Sequence, residues 1–142
     1  MKRDRRLRGL SSEHHHALVL ARVIERQIDS WSTSDGARLR EQFDRQLEPH
    51  FLAEEQILLP ALRAAGRLDL CERVERDHAR LRRAATSASA GDATAARAFG
   101  AELAEHVRFE ERDLFPACES LLADEILDEV ARRGPGEDSS CS

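Results

Sequence analysis

The chain contains no tyrosine and only one tryptophan in 142 residues, and aromatic side chains make up 4% of it. Sheet folds draw on aromatic and β-branched residues, so this scarcity argues against a β-sandwich or barrel. It also removes phenolate from the possible metal ligands. Cysteine is scarce too: Cys71, Cys118 and Cys141 are odd in number, widely spaced and form no CxxC pair. That pattern fits a reducing compartment and supports neither a disulfide framework nor a thiolate knuckle. Cys71 and Cys118 read as small apolar helix residues, and Cys141 lies in a tail where it can oxidise. Positive charge is in deficit, with a net charge of −5 and a pI near 5.7, so no nucleic-acid partner is expected. Long apolar runs are missing: nothing approaches the roughly 18 residues of a membrane span. The basic start MKRDRRLRGL is followed by no apolar leader region or cleavage site. A cytoplasmic location with no membrane association is the expectation.

What the chain does contain is helix-forming residues. Alanine, leucine, arginine and glutamate dominate, charged residues reach 35%, and the length suits one domain with a continuous core. The expected fold is an all-α, up-down-up-down four-helix bundle with a short extra C-terminal helix, over residues 1–132. Residues 133–142 are expected to form a disordered polar tail. The first helix reads from about Ser11, with Ser11 or Ser12 as N-cap, to Trp31, with Leu7, Leu10, His14, Ala17, Ala21, Ile24, Ile28 and Trp31 on one stripe. A second spans about Asp35 to Ala65, with Phe43, Leu47, His50, Glu54, Ile57 and Ala61 in phase. Pro49 and Pro60 are expected to kink or interrupt it. A third covers about Asp69 to Ser87, carrying Leu70, Val74, His78, Leu81 and Ala85. The fourth covers about Ala93 to Leu122, carrying Phe99, Leu103, His106, Glu110, Leu114 and Ala117 and bent late by Pro116. A last segment, Asp124 to Arg132, offers Ile126, Leu127 and Val130 for packing.

An internal repeat stands out. The run from His50 to Ala61 returns 56 residues later from His106 to Ala117, matching at the histidine, both glutamates, the leucine, the proline and the alanine. The other two helices echo each other through Glu13-His14 and Asp77-His78. The six histidines fall in four places, one per helix. In the second and fourth helices a glutamate follows the histidine at i+4, where β-carbons are about 5–6 Å apart and both side chains reach one ion or two adjacent ions. A carboxylate on an apolar stripe is costly to bury without a compensating partner, and Glu54 and Glu110 both occupy such positions. Metal coordination supplies that partner. Two divalent ions offset the two carboxylates, with bridging oxide, hydroxide or water completing the balance. Imidazole and carboxylate without thiolate suit iron or manganese, with zinc and copper chemically possible.

His14 is favoured over His15 and His16 by its phase with the stripe, since its neighbours are rotated roughly 100° and 200° away. Glu55 and Glu111 lie off the ligand stripes, either solvated or orienting a histidine N–H.

The pattern H…HxxxE…H…HxxxE across four helices resembles the hemerythrin-like family, the HHE cation-binding domain, over about Leu10 to Leu122. The most specific parts are His50-x-x-x-Glu54 with Leu58-x-Pro60, and His106-x-x-x-Glu110 with Leu114-Phe115-Pro116. The resemblance implies His14, His50, Glu54, His78, His106 and Glu110 as ligands of two iron ions, with Glu54 and Glu110 bridging an oxo- or hydroxo-linked pair; manganese or zinc are the substitutes. Two departures from the oxygen-carrying members stand out. Arg82 occupies the place of a further third-helix histidine, and Glu111 stands where those proteins carry aspartate. A protein ligand fewer leaves a position for water, dioxygen, nitric oxide or peroxide. The expected function is binding or sensing of such a small ligand, or iron handling, any sensing needing a partner protein or acting through chemistry at the metal. The alternatives are an enzyme acting on peroxide or nitric oxide or assisting repair of iron centres, and an interaction module whose metal only stabilises the fold.

Overall fold

A computed structural model describes residues 2–133. These form five helices: α1, Arg8–Gln27; α2, a continuous helix over 33–64; α3, Leu68–Ser89; α4, continuous over 93–121; and α5, Asp124–Arg133. No strand occurs among the described residues. The tail expected over 133–142 lies outside them except for Arg133, which ends α5. Cys141 lies outside them as well.

The antiparallel order follows from where the apolar residues go. Two buried clusters form, one including Leu10, Ile57, Val74 and Phe109, the other including Ala17, Phe51, Leu81 and Leu103. Read along the chain, α1 and α3 pass from the first cluster to the second, whereas α2 and α4 pass from the second to the first. That is an up-down-up-down bundle, with its histidines and in-phase glutamates in a polar layer between two apolar halves. The close approach of α2 and α3 needs Gly36, where a β-carbon would lie 2.6 Å from the Ser89 carbonyl oxygen. Helix α5 closes one end by burying Leu127 and Val130, and the Arg6 guanidinium donates to the Asp124 carboxylate at 3.1 Å.

Two local expectations are corrected. Helix α1 starts at Arg8, not at Ser11 or Ser12, because the Asp4 carboxylate accepts from the Arg6 amide and launches a 3₁₀ turn, Arg5–Leu7, that runs straight into it. Pro49 and Pro60 interrupt the regular α pattern of α2 without ending the helix. Each follows a π turn, Phe43–Leu47 and Glu54–Leu58, and a third π turn, Glu110–Leu114, precedes Pro116 in α4. The amides of Glu48, Leu59 and Phe115 donate five residues back, to Phe43, Glu54 and Glu110, and this widening absorbs the donor that each proline lacks. Each wide turn takes up an extra residue, so the buried face slips by one position beyond it. Leu62 and Cys118 are buried where the straight stripe points to Ala61 and Ala117.

Candidate metal centre

Both in-phase glutamates are the first residues of π turns, and both are fully buried at 0% exposure. His14, His50, His78 and His106 are buried around them. The structure thus brings all six residues singled out in the sequence into one cluster. His15 is exposed and His16 half-buried, which leaves His14 as the α1 member.

The arrangement has approximate two-fold symmetry. Glu54 places one oxygen 3.0 Å from His50 Nε2 and the other 3.1 Å from His78 Nε2. Glu110 places Oε1 2.7 Å from His14 Nε2 and Oε2 3.0 Å from His106 Nε2. Two overlapping donor groups result: His14, His50, Glu54 and Glu110; and Glu54, His78, His106 and Glu110. Within each group one donor atom per residue lies within 4.8 Å of all the others. Each half offers two imidazoles and a share in both carboxylates.

The outer face of each imidazole is held by a further carboxylate. His14 Nδ1 is 2.6 Å from Glu111, His78 Nδ1 2.6 Å from Glu55, His50 Nδ1 2.8 Å from Glu13, and His106 Nδ1 2.9 Å from Asp77. An Nδ1–H donated outward leaves the Nε2 lone pair facing the cluster, the tautomer that a metal requires. Glu55 and Glu111 therefore take the orienting role, not the solvated one. Glu13 and Asp77 were missed as orienting groups. Their signal was the shared acid immediately before His14 and His78, which the sequence shows as an echo without revealing what it touches. Arg82 faces away from the cluster, bonding the Glu48 and Glu55 carboxylates at 2.6 and 2.9 Å.

Without a metal the cluster is an imidazolium–carboxylate network. Burial is the largest single effect on each histidine and favours the neutral ring, but the surrounding carboxylates together outweigh it. His14 and His78 are raised, His50 well above the usual range, and His106 to about 10. Burial pushes Glu110 the other way, yet His106, His14 and His50 hold it well below the ordinary carboxylate range. For Glu55 burial is again opposed, by His78 and Arg82, and the carboxyl is lowered to about 2. Protein groups alone do not satisfy this cluster. His106 Nε2 and Glu110 Oε2 face each other as an ion pair at 3.0 Å, yet neither buried atom has a hydrogen-bond partner. Two orphaned donor atoms inside a set of imidazoles and carboxylates fit a cation at that position.

A pocket of about 310 Å³ leads from the surface to His14, His50, His106 and Glu110. Its walls include Leu20, Phe51, Leu103 and Val107, and Glu13, His16, Arg45 and Gln46 also line it. Among the described residues no helix is long and apolar enough to cross a membrane.

The sequence profile of the hemerythrin HHE cation binding domain matches residues 5–118. Comparisons with curated proteins and with solved structures returned no match. A buried His/Glu cluster able to hold metal, at the midlayer of an antiparallel helical bundle and inside the matched span, makes this chain a member of the hemerythrin HHE cation-binding domain family.

Proposed function

We propose that His14, His50, Glu54, His78, His106 and Glu110 hold two iron ions, bridged by Glu54 and Glu110, and that the centre binds dioxygen, nitric oxide or a related oxidant. The observation that carries this reading is the sharing of both buried carboxylates by two histidine pairs. Each half provides four donors, fewer than the six an octahedral ion would take, so positions would remain for exogenous ligands. Iron in such a site supplies reversible redox change and affinity for diatomic ligands. The protein's own residues fix the imidazole tautomers, and the pocket admits small molecules to them. A second reading, turnover of peroxide or nitric oxide, draws on the pocket of about 310 Å³ that opens the cluster to small solutes.

Metal content of anaerobically purified protein, with absorption spectra before and after air, nitric oxide and peroxide, tests both. Two irons per chain and reversible ligand-dependent bands support the binding role, and catalytic consumption of peroxide or nitric oxide supports the enzymatic one. A chain that takes up no iron, or zinc alone, overturns both and leaves a structural metal site.

A further inference from the structure

The four outer carboxylates are not equivalent. Glu55 is held from behind by Arg82, whose guanidinium also lies 5.7 Å over the Phe51 ring, and Phe51 stacks on His78 with centroids 3.9 Å apart. Asp77 accepts from Arg73 at 2.8 Å, and Arg73 lies 4.4 Å over Phe109 beside His106. Glu111 accepts from Arg3 at 3.2 Å, and Arg3 lies 5.5 Å over Phe115, which stacks on His14. The same three-part brace thus occurs three times: an arginine grips the carboxylate, the carboxylate grips Nδ1, and a phenylalanine lies against both the guanidinium and the imidazole. A bidentate or stacked guanidinium loses little freedom on binding, so it fixes what it grips.

The fourth histidine lacks this brace. Glu13 holds His50, but among the described residues no arginine pairs with Glu13. Arg45, which lines the same pocket as Glu13, pairs instead with Glu41. His50 and Glu13 line the pocket together with His14 and His106, and His78 does not.

We infer that Arg3, Arg73 and Arg82 are positioning residues that lock three of the four histidines, leaving His50 as the mobile arm, so that the two metal positions differ in lability. The position formed by His78 and His106 is braced on both imidazoles and releases its ion slowly. The position formed by His14 and His50 has one unbraced arm on an open pocket and exchanges first. This rests on the two-ion reading of the cluster.

The test is cobalt(II) release from the doubly loaded full chain into excess chelator, followed by the visible bands of each ion. Wild type should release two ions in two phases of equal amplitude. Arg82→Gln should accelerate the slow phase alone, by less than the roughly 10–100-fold typical of losing the orienting carboxylate itself, and shift only the slow ion's bands. Arg82→Lys should recover part of that loss, since it keeps the charge without the planar fork. Glu13→Gln should alter the fast phase alone, and Arg83→Gln, at an exposed site on the same helix as Arg82, should alter neither. General destabilisation would quicken both phases together, so equal acceleration by Arg82→Gln overturns the inference. A single phase for two ions also overturns it while leaving the two-ion reading intact. Binding of only one cobalt per chain overturns that reading and the inference with it.

Discussion

Replacing Glu110 by glutamine removes one charge and almost no volume from the centre of the bundle. The side chain is fully buried, and its two oxygens serve different halves: Oε1 faces His14 at 2.7 Å and His50 at 3.5 Å, and Oε2 faces His106 at 3.0 Å. Each four-donor group therefore loses one anionic oxygen. Loss of an orienting group behind a ligand typically costs about 10–100-fold in affinity, so loss of a direct charged donor should exceed that. We expect at least about a 100-fold fall for both ions, which is about 2.8 kcal/mol each. Of the four cluster histidines Glu55 holds His78 alone, so Glu55→Gln should weaken one position. The assay is metal titration against a competing chelator, with metal analysis after desalting and circular dichroism to establish that the helices remain. Two ions bound to Glu110→Gln with affinities within tenfold of wild type would refute the bridging role.

In metal-free protein, His106, raised to about 10, contributes stability that is complete below pH 6.5 and lost as pH rises through about 10. Glu55, lowered to about 2, contributes stability present above pH 4.5 and lost as pH falls through about 2. The urea midpoint should therefore peak between pH 4.5 and 6.5 and decline toward pH 10, and a midpoint climbing over that last interval would contradict the network; metal affinity should run the other way, rising as imidazole protons become easier to displace. Gly36→Ala gains about 1 kcal/mol of helix propensity but drives a β-carbon to 2.6 Å from the Ser89 carbonyl oxygen. The clash is with backbone and should win, for a net loss of about 1–2 kcal/mol read as a lower melting temperature. Cys71 and Cys118 are buried and burial pushes both thiols up, so in a Cys141→Ser background alkylation at pH 8 should wait for denaturant.

Much of the centre was legible before any coordinates. A charged or imidazole side chain on an apolar stripe is visible wherever the period is helical, and His14, His50, Glu54, His78, His106 and Glu110 all stand on such stripes. The His50–Ala61 and His106–Ala117 repeat likewise announced two equivalent arms and hence a pseudo-symmetric bundle. Less legible was how the prolines are accommodated. A straight stripe predicts Ala61 and Ala117 inside, and only the π turns that begin at Glu54 and Glu110 explain why Leu62 and Cys118 are buried instead.

The sequence by itself determined the all-α class, the four stripes and the six residues that meet at their common layer, because each of those follows from periodicity within a single helix. Tertiary structure alone decided that Glu13 serves His50 and Asp77 serves His106, that Glu55 and Glu111 turn to His78 and His14, and that Arg82 and Arg3 brace the last two pairs. The four histidine–carboxylate pairings join different helices, and Arg82–Glu55 and Arg3–Glu111 likewise join separate segments, so they depend on how each helix is rotated and paired against its neighbours, whereas Arg73–Asp77, at i,i+4 within α3, follows from local spacing.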